Sequence, residues 1–343
     1  MRIIDAFRFS FFAILLMLHS QVSAATWSKD AKNTLGIKLG AEAPGLNMEL
    51  NPSSPTQGVD TIKYNPHSIG NIFASFSYGA FGLRLSTNTT PDNESRRLYG
   101  DSKIQDWQFR FYGKYATYDF FYQDYSGYYI EKSSEIQPSL TSSDPRIQRP
   151  DITNRHYGIQ AIFVFQPDNY SVGSSFEHSY RQKESGGSLL GTVGLNQHQI
   201  TADSALIPTE VQSRWGDFSQ FQRGRFNTAR LGIGYGYNFV VMQSFYLAAL
   251  LALNYGLQEQ SFDLGPSSIH RWVSNIGSNA KIGIGYNGPK NFGGFQILGD
   301  LNEIPLANAK VGMSTLSITA FWGTRFSGVH LGFLDKLEEA YFR

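Results

Sequence analysis

From about residue 66 onward, strand-like aromatic segments are joined alternately by tight turns and by long polar loops. The turns are Tyr78-Gly79-Ala80, Tyr115-Ala116-Thr117, Gln166-Pro167-Asp168-Asn169, Val241-Met242-Gln243 and Asn287-Gly288-Pro289-Lys290-Asn291. The loops lie near 88–103, 131–153, 182–224, 258–275 and 302–312. Few folds meet that constraint. It is the pattern of an up-and-down barrel crossing a membrane, with short periplasmic turns and long extracellular loops.

Side chains of a strand face opposite sides with a period of two, so a barrel wall must alternate. Residues 226–239 do so cleanly: Ala229, Leu231, Ile233, Tyr235, Tyr237 and Phe239 oppose Thr228, Arg230, Gly232, Gly234, Gly236 and Asn238. Residues 104–115, 279–287 and 315–326 repeat the pattern. Segment 245–257 is apolar on both faces, which fits a strand covered from inside. Strands near 33–51, 68–78, 80–87, 104–115, 117–130, 154–166, 170–181, 226–239, 243–257, 276–287, 292–301 and 314–326 make about twelve in a single all-β antiparallel barrel. Ser188 to Leu195 is also strand-like but breaks the turn–loop alternation, so it falls to the 182–224 loop. Apolar parity switches between Leu39 and Leu46, which implies a bulge or break at Ala43-Pro44-Gly45.

Composition agrees with this fold. The 34 Gly, 26 Phe, 19 Tyr and 5 Trp suit lipid-facing strands with aromatic girdles, and only 17% of residues are charged. Residues 1–24 read as a cleaved signal peptide, with Arg2 and Arg8 before the apolar Phe9 to Leu18 and Val22-Ser23-Ala24 at the cleavage site. Loss of Arg2, Arg8 and Asp5 takes 29 basic and 28 acidic groups to 27 of each. That balance gives no reason to expect nucleic acid as a partner. The chain has no cysteine, so disulfides and thiolate metal sites are excluded. Residues 25–326 form the barrel in this reading, and 327–343 a periplasmic tail, either frayed or a short amphipathic helix.

Three segments carry a family resemblance: Tyr122-Gln123-Asp124-Tyr125-Ser126-Gly127-Tyr128-Tyr129, Arg149-Pro150-Asp151 and Gln182-Lys183-Glu184-Ser185-Gly186-Gly187-Ser188. With a closing Thr324-Arg325-Phe326, the chain resembles the bacterial outer-membrane family called domain of unknown function 4421 over roughly residues 45–326. The resemblance implies an outer-membrane barrel and assigns no activity.

On the strands' non-lipid faces stand Lys38, Arg84, Arg110, Lys114, Arg181, Arg230, Lys281 and Arg325, against Asp106, Asp119, Glu177 and Asp300. Such an excess reads either as a salt-bridge network filling the barrel or as a basic constriction favouring small anionic solutes. The aromatic run Tyr118 to Tyr129 reads as an interfacial girdle or as a sugar platform aided by Gln123 and Asp119. Arg149-Pro150-Asp151 reads as a loop lock on the lumen. A lipid-modifying hydrolase would need a His–Ser pair assembled from different strands. His67-Ser68 and His178-Ser179 are adjacent and face apart, and His156, His198, His270 and His330 have no Ser two residues on. Histidines and carboxylates are too scattered for a metal site, and no cofactor is implied. The expectation is a bacterial outer-membrane protein acting as a narrow channel or ligand-binding barrel. The alternatives are a hydrolase and a structural or surface-interaction barrel. Outer-membrane lipid, lipopolysaccharide and the barrel assembly machinery are the expected contacts, with a small anion or sugar as ligand.

Overall fold

Alternation persists through most of the chain, and the strands it produces close on themselves. The structure, a computed structural model, describes residues 33–43, 46–52, 61–68, 70–306 and 309–341; the signal-peptide expectation for 1–24 lies outside them. Fourteen antiparallel strands form one sheet: β1 (Thr34–Ala43), β2 (Leu46–Pro52), β3 (Ile62–Asn65), β4 (Asn71–Tyr78), β5 (Phe81–Asn88), β6 (Lys103–Tyr112), β7 (Ala116–Ile130), β8 (Gln148–Val164), β9 (Gly186–Thr201), β10 (Phe221–Val241), β11 (Phe245–Leu264), β12 (Ser267–Asn287), β13 (Asn291–Pro305) and β14 (Ala309–Ser327). Closure comes from β1 on β14 and β7 on β8.

The barrel changes size along its axis. At the turn end, twelve strands form the ring: β1 and β4 to β14. At the loop end β4, β5 and β6 have stopped, and β3 bridges the gap, with Tyr64 paired to Met48 of β2 and Ile130 of β7. Ten strands remain there: β2, β3 and β7 to β14. Every backbone group of a lipid-facing wall needs a partner, so both rings must close.

β1 and β2 are one stave. Ala43 faces Ile318 and Leu46 faces Thr315, three residues on along both chains. The bulge or break expected at Ala43-Pro44-Gly45 falls on Pro44 and Gly45, which lie outside the described residues. Even-numbered residues point inward throughout; the interior changes from polar at Lys38 and Glu42 to apolar at Met48 and Leu50. A genuine bulge sits in β7, where the register on β8 shifts between Ser126 and Tyr128 and Gly127 takes φ 78°. It turns both Tyr125 and Tyr128 inward, each 2% exposed.

Three sequence expectations fail in this wall. Residues 170–181 are no strand. The seventh full-length strand is β9, drawn from the presumed 182–224 loop. The loops expected at 258–275 and 302–312 are extensions of β11–β12 and β13–β14, ending in tight connections. They read as loops because both faces turn polar once the outer face leaves hydrocarbon. Expected turns do hold elsewhere: Met242 and Gln243 carry φ 50° and 58°, left-handed residues of the three-residue connection between Val241 and Phe245.

The outward face is an apolar belt. Leu231, Ile233 and Ile276 are 66, 76 and 73% exposed. On β10 this face is apolar or aromatic from Ala229 to Val241. At roughly 3.3 Å per residue and a tilt of about 40°, that stretch spans roughly 30 Å, a bilayer's hydrocarbon core. No described helix is long and apolar enough to cross a membrane, which says nothing about crossing by strands. Among the described residues three short α-helices lie outside the wall: α1 (Asn93–Tyr99), α2 (Ser133–Ile136) and α3 (Gly332–Tyr341). α3 lies in the tail, which the sequence left as either frayed or helical. It is held by Tyr78, whose hydroxyl donates to the Val329 carbonyl at 2.9 Å and meets Asp335.

Candidate functional site: the filled lumen

Between β8 and β9 the chain enters the barrel. Residues 165–185 run inward from the turn end, make a single π turn at Gly173–Glu177, and reverse at His178, φ 63°. The expected tight turn Gln166-Pro167-Asp168-Asn169 does form, with Asn169 N–H on the Gln166 carbonyl at 3.0 Å, but it opens this plug. Tyr170, Val172 and Phe176 pack against Tyr246, Ala248, Leu250 and Ala252 of β11. That contact is why β11 is apolar on both faces: lipid covers one side and the plug the other.

Polar groups of the plug are matched by wall side chains, as buried backbone requires. Gln296 Nε2 donates to the Phe176 carbonyl at 2.7 Å, and the Ser175 hydroxyl donates to Asn238 Oδ1 at 2.6 Å. Lys38 Nζ sits 3.3 Å from Glu177 Oε2, whose other oxygen meets Arg110. Arg110 also reaches Asp119 Oδ2 at 3.1 Å. Arg325 donates to the Gly288 carbonyl at 2.6 Å, to Asn287 Oδ1 at 2.7 Å and to the His178 carbonyl.

Above the plug lies a polar layer. Thr192 donates to Asn254 Oδ1 at 2.6 Å, Asn254 to Asn279 Oδ1 at 2.7 Å, and Asn279 to Asp300 Oδ2 at 2.8 Å. Gln160 reaches the same Asn279 oxygen across the lumen at 3.5 Å. Gln123 donates to Asp106 at 3.0 Å and lies 3.3 Å from His156 Nδ1, whose ring is 5.1 Å from that of His198. A cavity of about 20 Å³ remains beside Arg110, Tyr112, Asp119, Gln160 and Lys281. It holds roughly one water molecule.

The loop end is sealed by an apolar core. Leu206, Ile207, Val211, Trp215 and Phe218 of the 202–220 segment pack on Met48, Leu50, Tyr64, Tyr125, Tyr128, Phe221, Phe226 and Phe262. Arg149 locks that segment: it pairs with Asp151 at 2.8 Å and donates to the Ala205 carbonyl at 2.9 Å and the Ser204 hydroxyl at 3.0 Å. The loop lock therefore holds the cap, not the lumen.

These placements revise the expected charge excess. Lys114 leaves the lumen for the turn end, where it pairs with Asp168 at 2.8 Å, and Arg181 sits at the plug's exit on the Asn287 carbonyl at 3.1 Å. Glu42 joins the lumen on the Lys38 face, engaging Arg84 and accepting from Ser317 at 2.5 Å. At the level of the plug and the polar layer above it, six basic side chains among the described residues (Lys38, Arg84, Arg110, Arg230, Lys281, Arg325) then face five acids (Glu42, Asp106, Asp119, Glu177, Asp300). Glu177 belongs to the plug, where sequence put it on a strand. Arg230 and Lys281 have no carboxylate at ion-pair distance among the described residues. The sugar platform separates: Tyr118, Phe120 and Tyr122 share the lipid side, whereas Asp119 and Gln123 point inward.

The adjacent His–Ser pairs are not dyads. His178 Nε2 lies 2.8 Å from the Tyr246 hydroxyl, its ring 5.3 Å from Phe292, and Ser179 donates to the Gly173 carbonyl. His67 instead finds Ser95 of α1, 28 residues away, with Nε2 2.9 Å from Oγ and Nδ1 2.7 Å from the Gly100 carbonyl. No sequence spacing could have shown this pair.

Among solved structures, the chain is similar to OmpT of Vibrio cholerae at 8% identity and TM-score 0.32, covering 89% of this chain and 99% of that one. It is similar to the COG4313 outer-membrane channel of Pseudomonas putida F1 at 11% and 0.31, covering 90 and 98%. With Ail of Yersinia pestis, solved with the heparin analogue sucrose octasulfate, the values are 10% and 0.24, covering 86 and 99%. No curated protein matches significantly. The family model described as Domain of unknown function (DUF4421) matches residues 27–326. With its closed barrel and the motifs that line it, this chain is a member of the DUF4421 family.

Proposed function

We propose that this protein is a bacterial outer-membrane barrel that works with its lumen shut, as a membrane-embedded interaction platform with its loop end outside. The apolar belt and the tight turns at one end support that placement. The observation that carries the closed-lumen reading is double occlusion: the plug 165–185 fills one end and the apolar cap the other. Anion passage, the alternative suggested by interior charge, requires the plug to leave, and the near balance of six cations with five acids weakens its selectivity argument. Planar-bilayer recording tests this reading. The wild-type barrel is expected to be silent, and deletion of both 169–183 and 204–218 to open it. Steady wild-type conductance overturns the proposal.

One observation favours a second reading, a lipid-ester hydrolase: the Ser95–His67–Gly100 arrangement, in which a carbonyl orients the imidazole towards a serine. Against it, the Ser95 N–H is taken by Asp92 Oδ1 at 2.8 Å and the Arg96 N–H by the Asp92 carbonyl at 3.0 Å. Neither amide is then free to hold an oxyanion.

A further inference from the structure

Ala229 is a small outward residue among bulky ones. Its register partners are Leu195 on β9 and Leu257 on β11. With Tyr157 and Trp272 they wall a shallow apolar crevice of about 350 Å³ on the lipid-facing side. One rung towards the loop end, the outward face becomes polar and hydrogen-bonded across neighbouring strands. Tyr157 donates to Gln197 Oε1 at 2.5 Å, Gln197 to Asn227 Oδ1 at 2.7 Å, and Asn227 to Glu259 Oε2 at 2.9 Å. His270 closes the row, 3.3 Å from Glu259.

Beyond this ladder β10 carries Arg225 and then Arg223, both exposed and both without an ion pair among the described residues. Arg225 stands between the neutral Gln199 and Ser261. Arg223 faces Asp263 in the register with β11, and that carboxylate accepts from the Ser268 hydroxyl at 2.9 Å; Glu259 is engaged within the ladder and Asp124 by Arg155 at 2.7 Å. The ladder satisfies its own polar groups and leaves two guanidinium groups over an apolar slot.

We propose that this face binds one phosphorylated glycolipid of the outer leaflet, with an acyl chain in the Ala229 crevice and phosphate on Arg225 and Arg223. The occupant is a lipid because the crevice opens on the hydrocarbon belt, and the ladder marks where that belt ends. Arg225 lies two residues above Asn227, roughly 7 Å along the strand, at headgroup depth. Phosphate is the complement because the guanidinium fork matches its oxygens in pairs. The proposal rests on the membrane placement given above.

Native mass spectrometry of the detergent-purified barrel tests it, with bis-phosphorylated lipid A and its dephosphorylated form as probes. One lipid A is expected to remain bound. Retention should fall about tenfold on removal of the phosphates or in the Arg223→Gln/Arg225→Gln double variant. Ala229→Trp, which fills the crevice, should weaken both probes, and Arg97→Gln on α1 neither. Equal retention of the two probes, or an unchanged double variant, overturns the proposal. A heat-modifiable barrel that ignores phosphate sinks only this inference. A chain that extracts without detergent sinks the membrane placement itself.

Discussion

Lys38 and Glu177 lie 139 residues apart in sequence and 3.3 Å apart in the lumen, one on the first strand of the wall and the other at the inner tip of the plug. The lysine side chain is 5% exposed and the glutamate 14%, so the pair works in a poorly solvated space. Removing one partner of such a pair leaves the other charge without compensation, at a cost of about 3–5 kcal/mol. Glu177→Gln is therefore expected to lower the unfolding free energy from urea titration by that amount, followed by heat-modifiable migration. A variant as stable as wild type would mean that the plug is held without this ion pair, by its apolar contacts and remaining hydrogen bonds.

Gly236 tests those apolar contacts separately. A Cβ there would overlap the ring of Tyr170, which is fully buried in the plug. Gly236→Ala must shift either the ring or the strand, at about 1–3 kcal/mol. Displacement of the plug should expose Lys183, so limited trypsin digestion is expected to nick between β8 and β9 in the variant and not in wild type.

The strands were legible in sequence wherever one face meets lipid and the other does not. β10 shows why: Leu231, Ile233 and Tyr235 against Gly232, Gly234 and Gly236 admit one register. The plug was not legible. Tyr170, Val172, Phe176 and Tyr180 alternate with Ser171, Ser175, Ser179 and Arg181, which is also the signature of a wall strand. Period two reports that one side is apolar, and it cannot say whether lipid or polypeptide covers that side. With 170–181 counted as a strand, the turn–loop alternation left no place for Gly186–Thr201, although Leu189, Val193 and Leu195 mark its lipid face. The remaining clue was β11, apolar on both sides, which announced an inner cover without identifying it.

Charge placement was half legible for a related reason. Arg84, Arg110, Arg230, Lys281 and Arg325 each lie within a regular strand, where parity governs the face on which a side chain stands. Lys114 sits where β6 has already ended, so parity no longer governs where it points.

The cap lock carries a pH dependence. Asp151, beyond the apolar belt, has its carboxyl held below the ordinary carboxylate range, chiefly by its hydrogen bonds to Arg149. A depressed native value stabilises the folded form above the unfolded value near 3.9, and the contribution is lost as pH falls through the native one. Protection of the 202–207 amides, relative to their unfolded exchange rate at each pH, should thus stay high from pH 8 to pH 5 and fall only below about pH 4. Arg149→Ala should give fast exchange already at pH 7. Loosening of the wild-type segment between pH 7 and pH 5 would assign the lock to another group.

Ser95 and His67 permit a test that separates chemistry from scaffolding. Both readings use the 2.9 Å hydrogen bond between them. As a staple, it pins α1 to the chain between β3 and β4, and its loss costs about 0.5–1.5 kcal/mol, the usual net worth of one such bond. As a dyad, it makes the Ser95 oxygen nucleophilic, and an activated serine reacts with a fluorophosphonate at a rate that falls with removal of its base. The amides of Ser95 and Arg96 are committed to Asp92, so the staple is expected to prevail. Purified barrel should take up no fluorophosphonate at Ser95, and Ser95→Ala should differ from wild type only in a slightly lower unfolding midpoint. Covalent labelling of Ser95 that disappears in His67→Ala would reverse that assignment and make hydrolysis the first reading of the loop end.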